Sequence, residues 1–335
     1  MSFNVISLFA GCGGSSTGYI MAGGKVLLAV EWDDNAVATY KANYPDTPVY
    51  HGDIGKLTID EILKTTGLKP GELDILDGSP PCQGFSTAGK RDFCDTRNQL
   101  FREYVRILQG LKPKVFVMEN VSGMVKGKMK LIFAEILREL KGSGYRVKAR
   151  LMNAMYYGVP QSRQRMIFVG VRNDLGIEPC HPNPQTKPIT VKEAWKNIKN
   201  VHYARPLTTV ATKVWNAIKP GENGSAYRPG YYFGSPKLDF DKPSPTMNKS
   251  LSGIGGLLHP IERRTITIEE AKRIHSYPDS YVFLGNFTDM YARIGNSVPP
   301  LLTKAVAEHI DKNILQRYKD TFPGKEIRLI QDGRK

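Results

Sequence analysis

The chain has 335 residues, enough to bury a substantial core as one large domain or two of ordinary size. Hydrophobic residues make up 41 % and charged residues 24 %, which sets it among soluble globular proteins rather than compositionally biased chains. Its charge is less ordinary: 47 Lys and Arg against 32 Asp and Glu leave a formal +15, which points to a polyanionic partner, most often nucleic acid, while leaving a ribosome-associated or merely basic protein open.

The opening "MSFNVISLFAGCGG" carries no basic leader, and its apolar run is too short to span a membrane, so a soluble, cytoplasmic protein is expected. "NVISLFA" reads as a strand, followed by a Gly-rich turn and a short helix over 16–21. "KVLLAVEW" is a second strand and "DNAVATYKANY" a helix; "TPVYHGDI", "LDILDGS" and "KVFVMENV" are further strands. Between the last two, Leu100, Tyr104, Ile107, Leu108 and Leu111 share one face of a helix, and Met129, Ile132, Phe133, Ile136, Leu137 and Leu140 mark another. The strands "YRVKARLMNA" and "RMIFVGV" follow. Near-continuous apolar strands separated by amphipathic helices predict an α/β fold, a doubly wound and mostly parallel sheet whose ligands bind at the carboxyl ends of its strands. The texture changes near residue 178, where the chain turns rich in Pro, Gly, Lys and Tyr, an irregular or β-rich insertion. Regular patterning resumes at "TITIEEAKRIHSYP", and "PPLLTKAVAEHIDKNILQRY" predicts one closing helix.

Four cysteines stand at 12, 82, 94 and 180, none spaced as C-x-x-C, so neither a structural metal site nor a disulfide framework is expected. The turn "FAGCGGSS" offers Gly11, Gly13 and Gly14 for close backbone approach but has Ser16 where a dinucleotide fingerprint needs a third glycine. Glu31 ends the second strand, in the right place to bind ribose hydroxyls, and Asp53 follows the third, in the right place for an adenine amino group. Together they describe an adenosine site without a phosphate requirement, which S-adenosyl-L-methionine satisfies.

Cys82 in "GSPPCQGFS" follows two prolines that fix the backbone and remove two amide donors. A lone cysteine is more often a small buried hydrophobe than a nucleophile, so its partners decide. Glu119 and Asn120 end an otherwise apolar strand, and Arg163 and Arg165 in "QSRQR" alternate, so in an extended segment both face the same way. A guanidinium near Cys82 favours the thiolate, and desolvation around Glu119 favours its protonated form. A thiolate beside a proton-donating carboxyl suits conjugate addition. Surface salt bridging or phosphate contact is the plainer reading of the two arginines.

Here the sequence resembles the DNA cytosine-5 methyltransferase family, of bacterial or phage type. The blocks "FAGCGG", "EWD", "GDI", "GSPPCQGFS", "RNQLF", "MENV", "QSRQRMIFVG", "TIEEAKRIHSYPD" and "IGNSVPP" occur in the family's order from residue 9 to 300. The resemblance implies a class I, Rossmann-like methyltransferase domain over 1–178 and 286–335, with a smaller target-recognition domain over 179–285. It implies that Cys82 adds to carbon 6 of a flipped-out cytosine in duplex DNA while Glu119 acts at ring nitrogen 3, and that Arg163 and Arg165 hold the base and its phosphate. S-adenosyl-L-methionine, leaving as S-adenosyl-L-homocysteine, is expected at Phe9, Gly11, Gly13, Gly14, Glu31, Trp32, Asp53, Ile54, Asn296, Ser297 and Val298. Gln83, Ser86 and Lys90 belong to a loop expected to close over DNA, and Arg228, in "YRPGYYFGS", is the candidate for gripping a guanine edge. No metal is implied. The enzyme is expected to be a monomer, with a restriction endonuclease as a possible functional partner.

Three other readings compete. A transfer-RNA cytosine-5 methyltransferase shares most of these motifs but carries "PPCQPF" and "CFT", which are absent here. A catalytically silent DNA-binding relative predicts a damaged Cys, Glu or Gly-rich turn, and all three stand. A nicotinamide oxidoreductase is opposed by Ser16 and leaves the Pro-Pro-Cys run unexplained.

Overall fold

The computed structural model describes residues 3–81, 96–125, 129–199, 204–232, 235–251 and 256–321. Seven strands form the main sheet: β1 (Asn4–Leu8), β2 (Lys25–Glu31), β3 (Val49–His51), β4 (Ile75–Gly78), β5 (Val115–Val121), β6 (Tyr145–Asn153) and β8 (Gln164–Arg172). Their order is β3-β2-β1-β4-β5-β8-β6. The first five are parallel, and β8 runs antiparallel to both β5 and β6. The chain proceeds outward from β1 to β3, then crosses back to place β4 on the other side of β1. That reversal opens a crevice at the carboxyl ends of β1 and β4, where ligands bind in such sheets.

Side-chain alternation along each strand feeds two cores. Ile6, Leu8, Leu28, Leu76, Phe116 and Phe168 face the helices α3 (Ile59–Thr66), α4 (Thr96–Leu111) and α5 (Met129–Gly142). Val5, Val26, Ile75, Val117, Ile167 and Val169 face the opposite layer, which includes Tyr19 of α1 (Gly14–Met21) and Leu302, Val306 and Ile310 of a helix at Pro300–Ile310. Covering both faces accounts for strands that are apolar almost throughout.

The helix starts have local causes. Asp33 caps α2 (Asp34–Asn43) by accepting from the Ala36 amide at 2.9 Å, and Thr58 with Glu61 forms a capping box at the start of α3. At the C-terminal end the single expected helix is interrupted. A π-helical turn, Asp311–Leu315, separates Pro300–Ile310 from Gln316–Thr321.

The region after residue 178 is irregular among the described residues rather than β-rich. It contains the helices α6 (Val191–Ala194), α7 (Thr209–Ala217) and α8 (Ile268–Ile274), and β9 (Ser244–Pro245), which pairs in parallel with β7 (Gln161–Ser162). A third core holds Val191, Trp195, Leu238, Met247, Ile266, Ile274, Tyr277 and Tyr281. It also takes in Met290, Tyr291 and Ile294 of α9 (Phe287–Asn296), and Cys12 of the Gly-rich turn. The insertion is thus rooted in the same turn that follows β1.

Candidate active site

The Gly-rich turn is shaped by close approach. Gly13 takes φ 93°, and Phe9, a non-glycine residue, takes φ 56° directly after β1, a strained conformation that the surrounding packing must impose. A Cβ on Gly14 would lie 2.4 Å from the Val298 carbonyl oxygen and 2.9 Å from Ser297 Cβ. One on Gly18 would lie 2.4 Å from the Pro300 carbonyl oxygen. The first motif and the last are therefore in backbone contact. Gly11, at φ 55°, has open space where its Cβ would be. Cys12 is not a nucleophile: it is buried against the Tyr277 hydroxyl at 3.3 Å, and burial pushes its thiol up to about 11.

Around this turn stand the expected cofactor groups. Glu31 Oε2 accepts from the Gly11 amide at 2.8 Å, and Oε1 accepts from the amides of Trp32 and Asp33 at 2.9 and 3.0 Å. Those three bonds fix the carboxylate at the carboxyl end of β2. Trp32 is 79 % exposed, an apolar wall with nothing over it among the described residues. Asp53 is exposed and caps a short turn through the Gly55 amide. Ile54 is buried in the main core, so only its backbone can face a ligand, and Arg106 holds its carbonyl at 3.1 Å. Phe9 is half-buried against the same core, Asn296 is exposed at the end of α9, and Val298 packs half-buried on the opposite layer. Open space at Gly11, an oriented carboxylate and an exposed indole fit an adenosine with free ribose hydroxyls.

The second half of the crevice lies at β4 and β5. Asn120, on β5, donates from Nδ2 to the Pro80 carbonyl at 3.1 Å and anchors the chain two residues before Cys82. Glu119 pairs diagonally across the β5–β8 ladder with Arg165, at 2.6 Å between Oε1 and Nε, and each side chain is 13 % exposed. Arg165 also donates to the Gln164 carbonyl at 2.8 Å. Cys82, Gln83, Ser86 and Lys90 lie outside the described residues.

Arg163 lies at a break between two strands, with Arg165 and Glu119 among its charged neighbours. It belongs to neither β7 nor β8, its amide bonding back to Gln161 at 2.9 Å, so the side-chain parity of an extended strand does not run through it. The residue is 2 % exposed, and its guanidinium donates to the carbonyls of Met247 (2.9 Å), Gly295 (3.0 Å) and Ser297 (3.0 Å). Burial, with Arg165 nearby, lowers its pKa to about 9. In this arrangement Arg163 fastens backbone, while Arg165 is the arginine that meets Glu119. Arg228 is exposed in the insertion, its guanidinium 3.9 Å from the centre of the Tyr231 ring.

Two buried groups carry more of the site than their sequence context suggested. Asp77 on β4 is 4 % exposed and accepts from Ser7 Oγ at 3.0 Å and the Tyr19 hydroxyl at 3.1 Å. Burial pushes its carboxyl up to about 6, against hydrogen bonds from Ser15, Ser7 and Tyr19 that pull it down. His275 is fully buried and bonds Gln161 and the Ser297 carbonyl.

Residues 3–312 match the family model described as C-5 cytosine-specific DNA methylase. The chain belongs to that family. It is a DNA cytosine-5 methyltransferase, with the class I methyltransferase fold. Among its relatives, the type II methyltransferase M1.HphI of Haemophilus parahaemolyticus is 36 % identical over 93 % of this chain and 87 % of its own. The type II methyltransferase M.XorII of Xanthomonas oryzae pv. oryzae is 33 % identical over 97 % and 88 %. A solved structure described as a DNA modification methyltransferase encoded within an E. coli prophage superposes with a TM-score of 0.77 at 25 % identity, covering 93 % of this methyltransferase and 99 % of that chain. The Dnmt2 methyltransferase of S. pombe, at 18 % identity and a TM-score of 0.65 over 92 % and 98 %, shares the fold. Among the described residues no helix is long and apolar enough to cross a membrane, and no group of three or more His, Cys, Asp or Glu is set to hold a metal.

Proposed function

We propose that this methyltransferase modifies a cytosine flipped out of a specific duplex site, through a covalent adduct with Cys82. The observation that carries the reading is the meeting of β4 and β5. Asn120 holds the Pro80 carbonyl, so the root of the Pro-Pro-Cys segment lies beside the strand end that bears Glu119 and its partner Arg165.

Carbon 5 of cytosine is a poor nucleophile, and the protein's task is to make the ring electron-rich. In this reading the Cys82 thiolate adds to carbon 6 while Glu119 holds a proton at ring nitrogen 3, so the displaced electron pair becomes available at carbon 5. Arg165 orients the Glu119 carboxyl, and Arg163 holds the Ser297 carbonyl. S-adenosyl-L-methionine, when bound, supplies an electrophilic methyl group for carbon 5. Glu31 and Asp53 bind its adenosine, Trp32 and Phe9 wall it, and the turn at Gly11, Gly13 and Gly14 with Asn296, Ser297 and Val298 closes around it. Transfer of the carbon 5 proton to water then sends the C–H electron pair into the carbon 5–carbon 6 bond, expels the Cys82 sulfur as the thiolate, and returns the nitrogen 3 proton to Glu119. Unstacking the base costs roughly a few kcal/mol, which contacts from Gln83, Ser86 and Lys90 offset.

Region 179–285 acts as the target-recognition domain on the remainder, its basic residues contacting phosphates and Arg228 reading a base edge. The type II names of the relatives suggest a restriction endonuclease partner, with the methyltransferase working as a cytoplasmic monomer. The deciding experiment is Cys82→Ser. It is expected to abolish methyl incorporation into DNA while leaving DNA binding largely intact, and full activity in the purified variant refutes the adduct.

A further inference from the structure

The backbone of Met247 and that of Ser297 are held in one closed ring of hydrogen bonds, buried at the Met247 end and part-buried at Ser297. On one side, the Met247 amide donates to Gln161 Oε1 at 3.1 Å. That bond orients the Gln161 amide, so its Nε2 donates to His275 Nδ1 at 3.1 Å, and the imidazole Nε2–H donates to the Ser297 carbonyl at 3.0 Å. On the other side, Arg163 NH1 takes the Met247 carbonyl and NH2 the Ser297 carbonyl. Burial keeps His275 neutral, as this donor–acceptor pattern requires.

The ring joins two places of different character. Met247 follows β9, where the insertion returns to the sheet through the β7–β9 pair, and Thr246 adds a bond from Oγ1 to the Ser162 carbonyl at 2.9 Å. Ser297 and Val298 lie against Gly14, close enough that a single Cβ there would clash. A shift of the insertion that moves Met247 therefore moves Ser297, and through it the Gly-rich turn. Each end of the ring is backbone, and Met247, Gln161, Arg163 and His275 are buried, with Ser297 half-buried.

We propose that Gln161, Arg163 and His275 form a positioning relay that couples engagement of DNA by the insertion to the affinity of the Gly-rich turn for the cofactor. The proposal rests on the reading of those two regions given under the proposed function. Gln161 and His275 touch neither substrate nor cofactor; they act through Ser297. Coupling of this kind is reciprocal, so DNA tightens cofactor binding by the same factor as cofactor tightens DNA binding.

The test uses the full chain, S-adenosyl-L-homocysteine, and a duplex oligonucleotide carrying the site that bisulfite sequencing identifies as methylated. Calorimetric titration of S-adenosyl-L-homocysteine with and without the duplex gives the coupling factor, expected at about tenfold in the unaltered protein. His275→Leu and Gln161→Met are expected to bring that factor to within about twofold of unity, with duplex-free affinity near that of the unaltered protein and a lower melting midpoint from the buried groups left unpaired. His275→Gln, whose amide presents one acceptor and one donor, is expected to restore it. A role confined to stability would lower the melting midpoint and leave the factor unchanged. An unchanged factor in folded Gln161→Met or His275→Leu overturns the relay, and Gln161→Met alone decides if the leucine variant does not fold. A protein that binds neither probe overturns the proposed function, and the relay with it. Binding of both with a factor of one overturns the relay alone.

Discussion

Asp77→Asn should make this enzyme more stable at neutral pH, and the gain should vanish in acid. Asp77 is buried between β1 and α1 with only hydroxyl donors around it, and burial raises its carboxyl from 3.8 to about 6. A shift of about two units corresponds to about 3 kcal/mol between the protonated and ionised folded forms. The sign follows from proton counting. Below pH 3.8 the group is protonated folded or unfolded; between 3.8 and about 6 the folded state alone keeps its proton. The stability contributed by the neutral acid is therefore lost as pH rises through 6. Asparagine is neutral throughout and similar in size, and Ser7 can still donate to its oxygen. Turning the Tyr19 or Ser15 hydroxyl to accept from the new amide costs about 1 kcal/mol. The expected net gain at pH 7.5 is about 2 kcal/mol, falling to a small loss near pH 4. Urea denaturation of both proteins at several pH values measures it. The difference between them cancels the buried His259 and His275 and the half-buried His181 and His309, whose lowered pKa values make stability fall as pH drops below 6.5. A difference in stability that does not vary between pH 4 and 7 refutes the argument, because an always-neutral or always-ionised Asp77 has no slope to lose.

Three further outcomes follow from the site. Glu119→Gln should slow single-turnover methyl transfer by about 10²- to 10⁴-fold with little change in DNA affinity, and near-normal turnover removes its role at ring nitrogen 3. Gly14→Ala sets a methyl against the Val298 carbonyl and Ser297, which cannot yield without moving the last motif. It should destabilise by about 1–3 kcal/mol and weaken S-adenosyl-L-homocysteine binding, and a normal melt with normal binding contradicts the packing described. Arg228→Ala removes an exposed guanidinium stacked on Tyr231 without touching a core. It should relax preference at one base position at a cost of about 1–3 kcal/mol in discrimination, read by sequencing methylated DNA; unchanged preference rejects base readout by this residue.

The sheet was legible because strands covered on both faces are apolar almost throughout, and β1, β2 and β5 fall inside the expected segments, which overran them by up to two residues. Strand direction was not: nothing in "RMIFVGV" distinguishes the antiparallel β8 from its parallel neighbours. The helix α3 escaped periodicity, being eight residues long, yet its capping box Thr58-x-x-Glu61 stood in the sequence as a usable signal. The family blocks pointed to the cofactor turn, but the contact between Gly14 and Val298 joins residues nearly three hundred positions apart, and no local pattern encodes that distance. Asp77 carried no signal of its own in the sequence, because its partners Ser7 and Tyr19 lie 70 and 58 positions away.

Arg163 shows where the rule of strand alternation stops applying. Alternation put it beside Arg165 on one face, a valid inference only while the backbone stays extended. The chain instead breaks between β7 and β8, and the amide of Arg163 turns back on the Gln161 carbonyl. That break follows from what the segment must do: β7 pairs with β9 of the insertion, while β8 pairs with β5 and β6 of the main sheet. A residue between two ladders of different sheets cannot keep the parity of both. It becomes the natural place for a long side chain with donors at its tip to reach the carbonyls of Met247, Gly295 and Ser297, which no strand satisfies. Lysine there would offer one point charge to three acceptors, so the position calls for arginine on structural grounds alone. The same geometry leaves Arg165, which does lie on β8, as the arginine whose partner is Glu119.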